Sequence, residues 1–121
     1  MGLDIYISKQ GKNGKECLVH WRKFLPAADW LVKNVYDGKV DCNEHKLDWL
    51  SLVFLHEAAE KILASHDWKN ELQNLFPVSQ DFVWTGHREL AYLKMLNIIV
   101  EDIDGIAQPG DGEELLIQIS Y

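Results

Sequence analysis

No stretch of this chain approaches the roughly 20 consecutive apolar residues that a membrane-spanning helix requires, so the sequence predicts no membrane contact. Cysteine is nearly missing: Cys17 and Cys42 are the only two, they form no ligand or redox motif, and reduced thiols are expected rather than a disulfide framework. Proline occurs three times, at Pro26, Pro77 and Pro109. With no repeat, linker or low-complexity tract, residues 1–121 read as a single domain. A Gly-rich phosphate loop and a strained nucleophile turn are also absent. Lysine clusters only at Lys9, Lys12 and Lys15, in a turn, which excludes a basic stripe for direct nucleic-acid binding. The last absence is of bases near one end: residues 95–121 hold six acids and no Lys or Arg, whereas residues 1–94 hold 13 acids and 12 bases. Most of the net charge of -7 is therefore expected at that end. The opening Met1-Gly2-Leu3-Asp4 places an acid where a secretion signal carries bases, and Tyr6 stands where N-myristoylation requires Ser or Thr; a cytoplasmic location is expected.

An apolar share of 47% can fill one hydrophobic core. Leu3 to Ser8 alternates apolar and polar residues, Gly11-Lys12-Asn13-Gly14 supplies turn chemistry, and Cys17 to Trp21 follows, which predicts a β-hairpin with strands near 3–8 and 16–21. Pro26 suits a first helical turn, and Ala28, Leu31, Val32 and Val35 recur at helical spacing until Asp37-Gly38, giving a helix over 26–36. A wheel at 100° per residue puts Leu47, Leu52, Phe54, Leu55, Ala58, Ala59, Ile62 and Leu63 on one half. Lys46, His56, Glu57, Glu60 and Lys61 fall on the other, with Trp49 on the polar side. Asp48 would lie mid-stripe inside that helix, so it is assigned as the N-cap of a helix over 49–65. A short helical turn spans about Trp68 to Leu75, a strand is expected near 82–84, and a third helix over 87–103 ends at Gly105. The turn cluster Pro109 to Gly112 leads into a closing strand near 114–120. Strands at both ends with helices between them predict an α+β fold, a small, mostly antiparallel sheet packed by about three helices.

Few constellations carry chemistry. His56-Glu57-Ala58-Ala59-Glu60 has the first half of a zinc-protease helix motif but lacks the second histidine, and a solvated face with a Glu57–Lys61 pair accounts for it. Asp41-Cys42-Asn43-Glu44-His45 is rich in potential ligands, yet adjacent side chains diverge, and loop polarity before a helix explains the same residues. His87 is expected in a first helical turn, where the dipole favours the neutral ring, as in a site or in an ordinary helix start. No catalytic residue, metal or cofactor is assigned. Of five tryptophans, Trp21 and Trp84 suit a core, while Trp30, Trp49 and Trp68 are the candidates for an interface.

Scattered motifs along nearly the whole chain carry a resemblance. They are Met1-Gly2-Leu3-Asp4-Ile5-Tyr6, Trp21-Arg22-Lys23 ahead of Trp30-Leu31, Asn34-Val35, Gly38 with Asp41-Cys42, Leu75-Phe76-Pro77-Val78, and Asp81 to Gly86. In these the chain resembles an uncharacterised family of small bacteriophage and prophage proteins. The resemblance implies an origin and a place, the cytoplasm of an infected bacterium, rather than a mechanism. The expected function is then a phage-encoded binding module that inhibits or redirects a host protein, a defence system such as a CRISPR effector being one such target, with acids mimicking nucleic acid before a basic surface. Its contact residues are expected to be Glu101, Asp102, Asp104, Asp111, Glu113 and Glu114 with Trp30, Trp49 and Trp68. Two other classes remain open. One is a small metal-dependent hydrolase using His45, His56, Glu60 or His87, and the other a homo-oligomeric phage accessory protein whose Leu115–Ile119 strand pairs across a two-fold axis.

Overall fold

The computed structural model describes residues 4–22, 28, 30, 31, 42–75 and 85–120. Strands β1 (Asp4–Gly11), β2 (Gly14–Arg22), β3 (His45–Leu47) and β4 (Glu114–Ser120) form one antiparallel sheet in the order β2-β1-β4-β3. Helices α1 (Trp49–Ala64), α2 (Trp68–Leu75) and α3 (Gly86–Asp104) complete the described elements, so the α+β expectation holds. No helix among the described residues is long and apolar enough to cross a membrane.

The hairpin forms where the sequence places it. Gly11 pairs with Gly14 across Lys12-Asn13, and Gly14 supplies the φ of +108° that a side chain would resist. Ile5 and Ile7 point into the core, opposite Trp21 and Val19. Between Ile7 and Ser8 the register slips, so Leu18 becomes the extra residue of a β-bulge, a device that twists a strand and re-aims its side chains. β4 lies inside the sheet, with Leu115, Ile117 and Ile119 in the core. That placement corrects the two-fold pairing expected of Leu115–Ile119: β1 takes one flank of β4, and β3 already takes the other over Leu115–Ile117.

Helices cover one face of the sheet. Asp48 caps α1 as its sequence position requires, with extended backbone and a carboxylate that accepts the Leu50 N–H at 3.3 Å. Leu52, Leu55, Ala58, Ala59 and Ile62 are the buried face of α1, and Leu96, Ile99 and Ile103 that of α3. Of the helix expected over 26–36, Ala28, Trp30 and Leu31 are described, and Ala28 and Leu31 are buried as well. The strand expected at 82–84 and Trp84 lie outside the described residues. β3 was not anticipated, because three residues read as loop polarity until β4 is there to pair with them.

The opposite face of the sheet is partly roofed. Gln118 on β4 donates from Nε2 to the Cys42 carbonyl at 2.9 Å, and Lys15 of the far edge strand β2 reaches Glu44 at 2.8 Å. Residues 42–44 therefore reach across this face, on which Ser8 and Leu116 are buried and no described helix lies. Cys42, at φ +58°, is a non-glycine residue in the left-handed region where this crossing begins.

Candidate functional site

The six acids near the end of the chain meet different surroundings. Thr85 caps α3 by accepting the Arg88 N–H at 3.2 Å, and the last turn of that helix carries Glu101, Asp102 and Asp104 up to its end at Gly105. Asp102 turns inward, where its Oδ2 accepts the indole N–H of Trp21 at 2.9 Å. Asp104 meets His56 of α1 at 2.7 Å. In the loop to β4, Gly112 at φ +79° and the bond from the Glu113 N–H to the Gly110 carbonyl close a turn. The Glu113 carboxylate accepts the Gly110 N–H at 3.0 Å and lies 3.5 Å from Lys9. The backbone bond, then the lysine charge, hold its carboxyl below the usual value of 4.5. Glu114 pairs with Lys46 at 3.5 Å.

The polarity expected from the sequence is thus tempered in three dimensions. The basic hairpin tip folds against the acidic loop, and among the described residues only Glu101 and Asp111 of the six acids have no ion pair or side-chain hydrogen bond. Asp102 is moreover a structural acceptor, half-buried, rather than an exposed contact.

The three tryptophans expected at an interface are set partly into the fold. Trp30, Trp49 and Trp68 are half-buried and pack against the core, and the Lys69 ammonium stands 5.9 Å from the centre of a Trp68 ring. Trp49 lines a shallow cavity of about 410 Å³ together with Lys46, Asp48, Pro109 and Glu113. Among the described residues the exposed large apolar side chains are Leu50 (56%), Phe54 (58%) and Leu90 (70%). Leu50 and Phe54 are one turn apart on α1, so their side chains neighbour each other on its surface. The wheel assigned Phe54 to the core half. The buried sector is instead centred near Leu55 and Ile62, and Phe54 falls about 100° to one side of it.

Models of known protein families, curated proteins and solved structures give no match to this chain.

The histidines are dispersed. His56 is held between two carboxylates, Nε2 facing Asp104 at 2.7 Å and Nδ1 facing Glu60 at 2.8 Å, so it joins α1 to the end of α3. A carboxylate on each ring nitrogen leaves no shared vertex for a metal, and among the described residues no three His, Cys, Asp or Glu side chains converge as ligands. His56–Glu60 is the i,i+4 pair formed on this face rather than Glu57–Lys61. His45 is on β3 and His87 is exposed in the first turn of α3, so the structure does not bring together the four residues considered for a hydrolase.

Proposed function

We propose that this chain is a phage-encoded protein-binding module that acts by covering the surface of a host protein in the bacterial cytoplasm. The observation that carries the reading is the pair Leu50 and Phe54, both more than half exposed on a helix that otherwise sorts apolar from polar residues. Large apolar side chains left more than half exposed contribute little to this fold, and aromatic anchors of this kind dominate binding energies when a partner desolvates them. Glu57 on the same helix and the exposed Glu101 and Asp111 add charges that favour a basic partner, chiefly by raising the rate of encounter. A nucleic-acid-handling defence protein has such a surface.

The test is capture from bacterial lysate by the parent, by Leu50→Ser/Phe54→Ser, and by Glu57→Gln/Glu101→Gln/Asp111→Asn, with circular dichroism as the control for folding. A partner held by the parent and lost by the first variant is expected. The second variant should bind the same partner with an on-rate lower by about tenfold at low salt, a difference that fades as ionic strength shortens the Debye length. Retention of every captured protein by the folded first variant would remove the basis of the reading.

A further inference from the structure

Away from α1, on the face of the sheet opposite the described helices, four side chains meet beside the part that residues 42–44 cross. Asp4 pairs with Arg22 and Tyr6 with His20 across the β1–β2 ladder, so all four stand on the same face. Two of the stretches singled out in the sequence, around Asp4–Tyr6 and Trp21–Arg22, thereby become neighbours. One carboxylate oxygen organises the group: Asp4 Oδ1 is 2.8 Å from His20 Nε2 and 3.3 Å from Arg22 Nε. The Tyr6 ring stacks on the His20 ring with centroids 4.4 Å apart and planes 14° from parallel, which fixes the imidazole from its flat side.

What this arrangement leaves over is more telling than what it uses. Asp4 meets Arg22 at Nε, not through the fork that arginine usually offers a carboxylate, so both terminal NH2 groups stay uncommitted among the described residues. His20 likewise keeps Nδ1 on the side away from Asp4. The side chains of Arg22 and His20 are 67% and 41% exposed, so a solute can reach them. Ion pairs this exposed contribute little to stability, so the fold does not depend on them. Asp4 occupies only Nε of the guanidinium, and the donors left over, its two terminal NH2 groups, suit an anion rather than a metal.

We propose that Arg22 and His20, held in place by Asp4 and Tyr6, form a binding site for an oxyanion, the phosphate or carboxylate group of a ligand. The guanidinium fork takes two oxygens side by side, and His20, whose Nε2–H goes to Asp4, offers Nδ1 from the neighbouring row of the strand as the acceptor for a protonated oxygen of the ligand. The site lies on the other side of the sheet from Leu50 and Phe54, so its fate is separate from that of the partner-binding reading.

The experiment is a heteronuclear NMR titration of the labelled chain with inorganic phosphate in one arm and acetate in another, each against sodium chloride at matched ionic strength. Saturable shifts centred on the Arg22 side chain and on the His20 and Tyr6 amides are expected, with a dissociation constant of about 1–10 mM, usual for a single small anion. Arg22→Lys, which keeps the charge and loses the fork, should weaken binding about fivefold or more, and Arg22→Gln should abolish it. Saturation by either anion with loss in Arg22→Gln supports the site and identifies the oxyanion it prefers. Shifts that stay linear in both arms, or that persist unchanged in Arg22→Gln, overturn it.

Discussion

Replacing Asp102 by Ala removes the acceptor from an indole N–H that has no access to water, because Trp21 is only 2% exposed. A buried donor left unpaired loses the full value of a bond to a charged group, about 1.5–3 kcal/mol. At an unfolding entropy of about 2.1 cal/mol/K per residue, a chain of 121 residues shifts its Tm by about 4 °C per kcal/mol, so the variant should melt about 6–12 °C below the parent. Asp102→Asn retains a carbonyl oxygen that can turn to the indole and should cost about 1 kcal/mol or less. Urea unfolding at neutral pH measures both, and a double-mutant cycle with Trp21→Phe isolates the pair from the cavity that the smaller ring creates. The expected coupling is about 1.5 kcal/mol or more. Equal losses for Asp102→Ala and Asp102→Asn, or a coupling below about 0.5 kcal/mol, would refute the assignment and return Asp102 to the exposed acids.

Asp48→Ala should cost about 1 kcal/mol in the same assay and Asp48→Asn much less, since asparagine caps a helix nearly as well; equal costs would mean that the contact to the Leu50 N–H carries no stability. Phe54→Ser should change stability by less than about 0.5 kcal/mol, whereas Leu55→Ala, one residue on and fully buried, should cost about 2–5 kcal/mol by leaving a cavity. Glu113 should titrate by carbon-detected NMR with a midpoint below 4.5. Because folding depresses this pKa, the stability it adds is present above the unfolded value and is lost as the pH falls through the folded one. The urea midpoints of Glu113→Gln and the parent should therefore differ at neutral pH and converge in acid; a gap that widens in acid would contradict the sign.

Much of the architecture was legible because local rules decide it. The two glycines around Lys12-Asn13 mark the hairpin, and Asp48 could not sit inside α1 without interrupting its apolar stripe, so its role as cap followed from periodicity alone. β3 was illegible because three residues carry no period, and only the neighbouring strand makes them a strand. Phe54 was misplaced because a wheel gives angles but not the direction of the core, which depends on where the sheet and α3 lie. The surroundings of the charges depend on the fold in the same way. Six acids in one stretch are a fact of the sequence, but whether Lys9 and Lys46 reach them, or Trp21 claims Asp102, is settled by the fold. The group at Asp4, Tyr6, His20 and Arg22 has the same character, since residues some 15 positions apart become partners only through the register of the ladder.

The order β2-β1-β4-β3 also has a kinetic side. β1 finds β2 across two residues, but it finds β4 only by closing a loop of about 100 residues between Gln10 and Glu114, at an entropic cost that grows as 1.5RT ln n and reaches about 4 kcal/mol beyond a constant. Loop closure on this scale favours a hairpin that forms before β4 arrives, with the inner edge of β1 bare and Ile5 and Ile7 uncovered. For that interval the edge is a template for any extended chain, including the β4 of another copy. Substitutions that weaken β4 lengthen the interval without touching the hairpin, so they should appear first as exchanged dimers and aggregates during refolding, and only later as a lower melting temperature.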